Sequence, residues 1–278
     1  MEIPVPNNFE NDFDVFDSVA DIQNKICLAE ETEIKISLPN EDLLRNRTGL
    51  FLLACLSAFG TQEEKNIVLN CNFPSYIWDE SNFASIFQLL RLPTGNDVIQ
   101  LVSENISKRI PLQMTEKLKD ILVSLIGEVY NNAYEHSGSK YIIGNCYNET
   151  NDNNDNSRMC FYCYDTGIGI IENVRRFLKR EYPNLFHAYG KQNEKLLKLA
   201  LQRGFTTKQQ PRGVGINLLL EFAKVNSGYV RICNENVLFE QNTEGKITYK
   251  KLNNNFCGLV FEMHIMEDPD AIYKLKGE

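Results

Sequence analysis

No apolar run in the chain approaches the roughly 20 residues needed to cross a bilayer. The longest, residues 49–59 (GLFLLACLSAF), is interrupted by Ser57 and suits a buried helix. An excess of positive charge is also missing. The 29 Lys and Arg stand against 37 Asp and Glu, and a net charge of −8 leaves no electrostatic footprint for nucleic acid. The opening residues, MEIPVPNNFENDFD, lack the basic-then-apolar plan of a signal peptide, so no membrane and a cytoplasmic location are expected. Internal repeats are absent, and the eight Cys have no repeated metal-type spacing. The one C-x-x-C, Cys160 to Cys163, falls in RMCFYCYD, which reads as a strand. Residues three apart on a strand point to opposite faces, so the two sulfurs do not converge, and reduced, mostly buried thiols are expected. What remains is 278 residues, 43% hydrophobic and 24% charged, a composition that fits a globular protein of one or two domains.

Hydrophobic periodicity divides the chain into two α/β halves. Residues 1–30 read as an acidic arm with a short helix near Ser18 to Ala29. In residues 31–96, EIKISL (33–38) alternates as a strand and 43–59 reads as a helix ended by Gly60. NIVLN (66–70) is a second strand and 79–90 a second helix. The breakers in LPTGND (92–97) mark the boundary of this small α/β domain. A long helix then spans about 114–136. Residues 140–147 and 158–164 read as paired strands around the solvated loop NETNDNNDNS, and 171–180, 193–202 and 216–225 read as helices. Four strands, 229–233, 237–240, 246–250 and 259–265, complete a second domain, 105–268, expected to be a largely antiparallel sheet covered by helices.

Three stretches of that second domain carry chemistry. On the long helix, Leu122, Ile126, Val129 and Ala133 form a core-facing stripe. Glu128, Asn132 and Glu135 form a second, polar stripe about a quarter-turn or more away at about 100° per residue. Such a helix buries one flank and offers a carboxylate and an amide to a cleft, although solvated polar residues would give the same pattern. Asp165-Thr-Gly167-Ile-Gly169 follows a strand. A carboxylate held there can accept a hydrogen bond from an exocyclic amine such as that of adenine, and the glycines let the backbone approach a flat ring. A plain Asp-Gly turn is the alternative. Arg212-Gly213-Val-Gly215 opens a helix, where bared N–H groups and the helix dipole favour phosphate, or where flexible glycines merely join loop to helix. The P-loop pattern G-x-x-x-x-G-K-S/T and the dinucleotide fingerprint are both absent.

In this order (helix Glu128…Asn132, strand-end Asp165-x-Gly167-x-Gly169, then Gly213-x-Gly215 on a helix) the motifs resemble the GHKL ATP-binding superfamily over about residues 110–266. Its members include gyrase-type ATPases, histidine kinases and the anti-sigma-factor serine kinases. The resemblance implies a layered α/β sandwich holding ATP and Mg²⁺ under a lid, here 171–212. It implies that Asn132 ligates Mg²⁺, that Asp165 reads adenine, and that Gly167, Gly169, Gly213 and Gly215 let the backbone close round the nucleotide. Glu128 stands where these enzymes keep the catalytic carboxylate, and His136 falls near the phosphates or caps its helix. In GFTTKQQPRG, Lys208 and Arg212 are the cations to meet the β- and γ-phosphates, with solvated loop charges as the alternative, and Thr206 and Thr207 are further phosphate donors.

Within the superfamily, the three His are followed by Ser-Gly, Ala-Tyr and Ile-Met, and none fits a histidine-kinase phosphoacceptor. The chain ends soon after its last strand, unlike gyrase-type proteins with their second α/β domain. The N-terminal unit, with Ile77-Trp-Asp79-Glu-Ser81-Asn-Phe83 leading into a helix, resembles the STAS fold of anti-sigma-factor antagonists, whose phosphoacceptor serine would correspond to Ser81. Asn82 replaces the usual glycine there, and capping by Asp79 or Ser81 is the alternative. The expectation is an ATPase or serine/threonine protein kinase in a regulatory switch with a protein partner or substrate, a homodimer being one assembly the resemblance allows. The other reading is a catalytically silent nucleotide-sensing module whose lid closure controls a partner.

Overall fold

The computed structural model of the chain describes residues 1–5, 12–38, 47–71, 88–90, 114–136, 138–139, 142–151, 154–205, 215–266 and 273–274. Two sheets organise them. The first is parallel, in the order β1 (Glu2–Pro4), β2 (Glu33–Leu38), β3 (Asn66–Cys71), with α1 (Asp12–Leu28) and α2 (Arg47–Gln62) as its crossovers. In β2 the alternation is complete, with Ile34, Ile36 and Leu38 buried and Glu33 and Lys35 exposed. The first 30 residues hold the helix expected near Ser18 to Ala29, but it starts earlier, at Asp12, and a strand takes part of the expected arm. They contribute an edge strand and a 17-residue helix that buries Phe16, Val19, Gln23 and Ile26. The acidic residues of this segment mask a stripe at i, i+3, i+7 and i+10. Helix α2 also runs past Gly60 rather than ending there. A Cβ on Gly60 would lie 2.2 Å from Ile67 Cγ1, so the glycine marks the close approach of α2 to β3.

The second sheet has five strands, all antiparallel, in the order β4 (Gln88–Leu90), β5 (Ile142–Asn151), β6 (Asn154–Asp165), β8 (Ile247–Met266), β7 (Tyr229–Gln241). The protein is thus mixed α/β with an antiparallel principal sheet, as expected. Three local expectations change. Residues 88–90 end the helix expected over 79–90 as a strand, registered on β5 from Gln88↔Gly144 to Leu90↔Ile142. The β5–β6 ladder continues through the Asn/Asp-rich run to Asn151↔Asn154, because antiparallel pairing satisfies the backbone whatever the side chains. The four short strands expected at the end are two long ones, β7 and β8, whose register shifts between Asn234 and Val237. That irregularity broke the sequence pattern without breaking the ladder.

Both faces of this sheet are covered. Along β6, Met159, Phe161 and Cys163 pack into a core formed with α3 (Glu116–His136), α4 (Gly169–Glu181), α6 (Asn193–Ala200) and α7 (Gly215–Val225). The intervening Cys160, Tyr162 and Tyr164 pack on the opposite side with α1 and α2, which are shared with the parallel sheet. Cys160 and Cys163 therefore face opposite ways, and the described cysteines other than Cys71 are free thiols. Two polar clasps join α1 to β8. Asp17 accepts from the Asn253 backbone at 2.7 Å, and the Gln23 amide exchanges hydrogen bonds with both backbone groups of Cys257, at 2.8 and 3.1 Å. Burial, followed by the nearby Cys27 thiol, pushes the Cys257 thiol up to about 12. Among the described residues, no helix is long and apolar enough to cross a membrane.

One charge lies wholly inside. Glu262 is 0% exposed and meets Arg231 Nη1 at 3.4 Å through each carboxylate oxygen, with Tyr229 Oη donating at 3.4 Å. Arg231→Met keeps the volume and removes the cation. It is expected to destabilise the protein by about 3 kcal/mol, read as a lower urea midpoint at unchanged slope.

Candidate functional site

Helix α3 buries the stripe its sequence predicts, with Leu122 and Ile126 at most 1% exposed and Val129 and Ala133 almost as deep. Its position over the sheet is fixed by Tyr130, whose hydroxyl donates to the Tyr162 carbonyl at 3.3 Å. The ring occupies the space where Gly144 has no side chain, since a Cβ there would fall 1.7 Å from Tyr130 Oη. Glu128 and Asn132, one turn apart, stay half-buried on the flank of this helix. Gly215, the first residue of α7, packs directly on Glu128, because a Cβ at Gly215 would be 3.1 Å from Glu128 Cβ. The structure therefore brings together two of the three stretches singled out in the sequence.

The third stretch lies at the end of β6. Asp165 is the last residue of that strand, paired with Ile142 on one side and Leu259 on the other, and is 2% exposed. Strand alternation turns its side chain to the α3 and α7 face of the sheet, the face of Phe161 and Cys163. The carboxylate accepts from the Gly167 N–H at 2.9 Å, closing the turn that leads into α4. Just past the end of α3, Ser139 Oγ accepts from the Thr166 N–H at 3.0 Å and lies 2.6 Å from Thr166 Oγ1. The helix carrying Glu128 and Asn132 is thus tied to the turn carrying Asp165. Thr166 Oγ1 also donates to Gln62 Oε1 at 3.3 Å, so the last residue of α2 reaches the same turn.

Asn234 holds the turn from beneath, a role no sequence pattern announced. Its side chain, 1% exposed, accepts from the Ile171 N–H at 2.8 Å and donates to the Gly258 carbonyl at 2.7 Å. Gly169, at φ +72°, lies so close that a Cβ would be 2.0 Å from Asn234 Nδ2. Gly258, at φ +92°, leaves room for the Asp165 carbonyl, which would sit 2.1 Å from a Cβ. Asn234 is found only through the register shift in β7, which the alternation of its sequence does not reveal.

The expected lid divides in two. Residues 171–205 form α4, α5 (Pro183–Tyr189) and α6, with Ile171, Val174, Leu178, Leu196 and Leu197 in the core, so this part is built as a packed layer. Thr206, Thr207, Lys208, Arg212 and Gly213 lie outside the described residues, as do Ser81 and the side chain of His136. Among the described residues no group of three or more His, Cys, Asp or Glu gathers as a metal site. A Cys-His-Glu trio does occur on the far face, where Cys160 Sγ lies 3.2 Å from His264 Nδ1 and His264 Nε2 lies 2.8 Å from Glu262 Oε1. The second contact lacks the alignment of a hydrogen bond. With all three residues at most 3% exposed, the trio packs as core.

No known family model matches the chain, and no curated protein does.

Asn234→Ala is expected to leave the Ile171 N–H and the Gly258 carbonyl buried and unpaired, costing about 1–3 kcal/mol for each group. Hydrogen exchange at the Ile171 amide should accelerate beyond what global destabilisation accounts for. Unchanged protection there would remove Asn234 from the support of the turn.

Proposed function

We propose that this protein binds Mg-ATP in the manner of the GHKL superfamily and acts as an ATPase or serine/threonine protein kinase in a regulatory switch. The observation carrying this reading is the common face of the sheet. The buried Asp165 carboxylate at the end of β6 and the Glu128–Asn132 flank of α3 share it, joined through Ser139 and Thr166. The residues fit the nucleotide. A buried carboxylate suits an amine hydrogen bond, and the missing side chain of Gly215 lets the first turn of α7 approach Glu128. The Asn132 amide oxygen suits a hard cation whose remaining ligands come from phosphates and water, which needs no cluster of acidic residues. Bound Mg²⁺ supplies neutralisation of phosphate charge. Around it, Asp165 selects the base, Asn132 orients the cation, and Glu128 takes the proton from attacking water or a partner's hydroxyl. In this reading the N-terminal unit is a STAS-like regulatory layer. A sensing role without turnover draws on the Gln62–Thr166 hydrogen bond, which gives that layer a direct hold on the nucleotide turn.

Calorimetry with Mg-ATP, followed by assays of phosphate release and phosphotransfer, tests the proposal. Asp165→Asn replaces an acceptor with a donor and is expected to cost about 1–3 kcal/mol of affinity. Glu128→Gln is expected to bind as wild type does and to lose about 10²–10⁴ in turnover. Equal affinity of wild type and a folded Asp165→Asn protein sinks the pocket assignment. Binding without turnover in both wild type and Glu128→Gln leaves the sensing module.

A further inference from the structure

We propose that the groove between the start of α6 and the paired strands β7 and β8 binds an acidic peptide segment of a partner protein, independently of any nucleotide. Charge is segregated along this chain. Residues 169–205 carry eight Lys and Arg against three Glu, within a protein of net charge −8. Two of those cations, Lys191 and Lys195, line a groove of ≈ 320 Å³ together with Lys250 and Lys251 of β8. Glu194, the one acid in its wall, is paired with Lys198 at 2.5 Å, and Lys250 is held by Glu240 at 2.6 Å. Among the described residues, Lys191 and Lys251 have no carboxylate partner.

The groove is built rather than incidental. Arg175 of α4 donates to both carboxylate oxygens of Glu235 at 2.9 Å, to the Gly190 carbonyl at 2.9 Å and to Asn193 Oδ1 at 2.9 Å. Asn193 in turn donates to Asn236 Oδ1 at 2.8 Å, so the α5–α6 junction is fixed to β7 before any ligand arrives. Beside it stands α5, which has no buried residue and exposes Leu185 and Tyr189, with the Lys195 ammonium 4.9 Å from the Tyr189 ring. A cationic groove bordered by an exposed aromatic and a leucine suits a ligand with carboxylates and an apolar side chain. Lysines are point charges that draw carboxylate and phosphate alike, so the apolar border is what favours a peptide. A long polyanion would also feel the net negative charge of the whole chain, whereas a short acidic segment is governed by charges within a Debye length, about 8 Å in physiological salt.

The probe is a short fluorescein-labelled Glu-rich peptide carrying one Leu, with fluorescence anisotropy as the readout. Saturable binding that weakens with added salt is expected, and K191E combined with K251E should weaken it about tenfold or more. K191Q with K251Q should give an intermediate loss if the reversed charges disturb the fold. K35E, on the parallel sheet, should leave binding unchanged. The proposal is overturned if the peptide does not bind in low salt, or if the groove variants bind it as wild type does. It is equally overturned if K35E weakens binding as much, or if single-stranded DNA of equal charge or phosphatidylserine vesicles bind in preference.

Discussion

The burial of both faces of the antiparallel sheet is the constraint on which the other features depend. From Met159 to Tyr164 every side chain of β6 is at most 3% exposed, alternately beneath α3 and beneath α1 and α2. A strand buried on both sides has one register, since a slip of a single residue would exchange every pair of contacts. That register decides which face receives Asp165, and it lets a carboxylate occupy a position that its own burial energetics would oppose. The N-terminal layer is therefore part of the foundation of the candidate site. Without α1 and α2, Tyr162, Tyr164 and Phe256 would lose the surface they pack on.

The turn after β6 gathers contacts from parts of the chain far apart in sequence. Ser139 follows α3, Gln62 ends α2, Asn234 lies at the irregularity of β7, and Gly258 belongs to β8. Each supplies hydrogen bonds or a missing side chain. Their convergence is what a turn needs if its geometry is to be set by the fold and not by a ligand. The basic groove follows the same logic at another edge of the sheet. Arg175 spans three elements there, and its hydrogen bonds to Glu235 keep the guanidinium firmly charged.

Sequence periodicity revealed the elements whose exposure is one-sided. The stripe Leu122, Ile126, Val129 and Ala133 is buried as its spacing required, and the alternation in β2 is met residue by residue. The opposite facing of Cys160 and Cys163 likewise followed from pleat geometry alone. Long-range contributions were not legible. The first turns of the N-terminal helix were not legible, because Asp12, Asp14 and Asp17 crowd them and the buried position Gln23 is polar, with partners on β6 and β8. Strand β7 reads as two because Asn234, Glu235 and Asn236 interrupt its alternation, and β8 because Asn253, Asn254 and Asn255 interrupt its own; only the ladder reveals that Asn234 points inward to brace a turn. For the candidate site, Asp165, Glu128, Asn132 and the glycines could be named from spacing. Ser139, Gln62 and Asn234 could not, since nothing local distinguishes a bracing side chain from a solvated one.

Asn234, Gly169 and Gly258 are locked in a way that bears on how this chain can diverge. The amide fills the space left by one glycine and holds the carbonyl of the other, and both glycines have backbone angles that side chains rarely adopt. A change at any one of them strands the other two, so no single substitution leads smoothly to a different solution. Descendants of this sequence should therefore keep all three or replace them as a set.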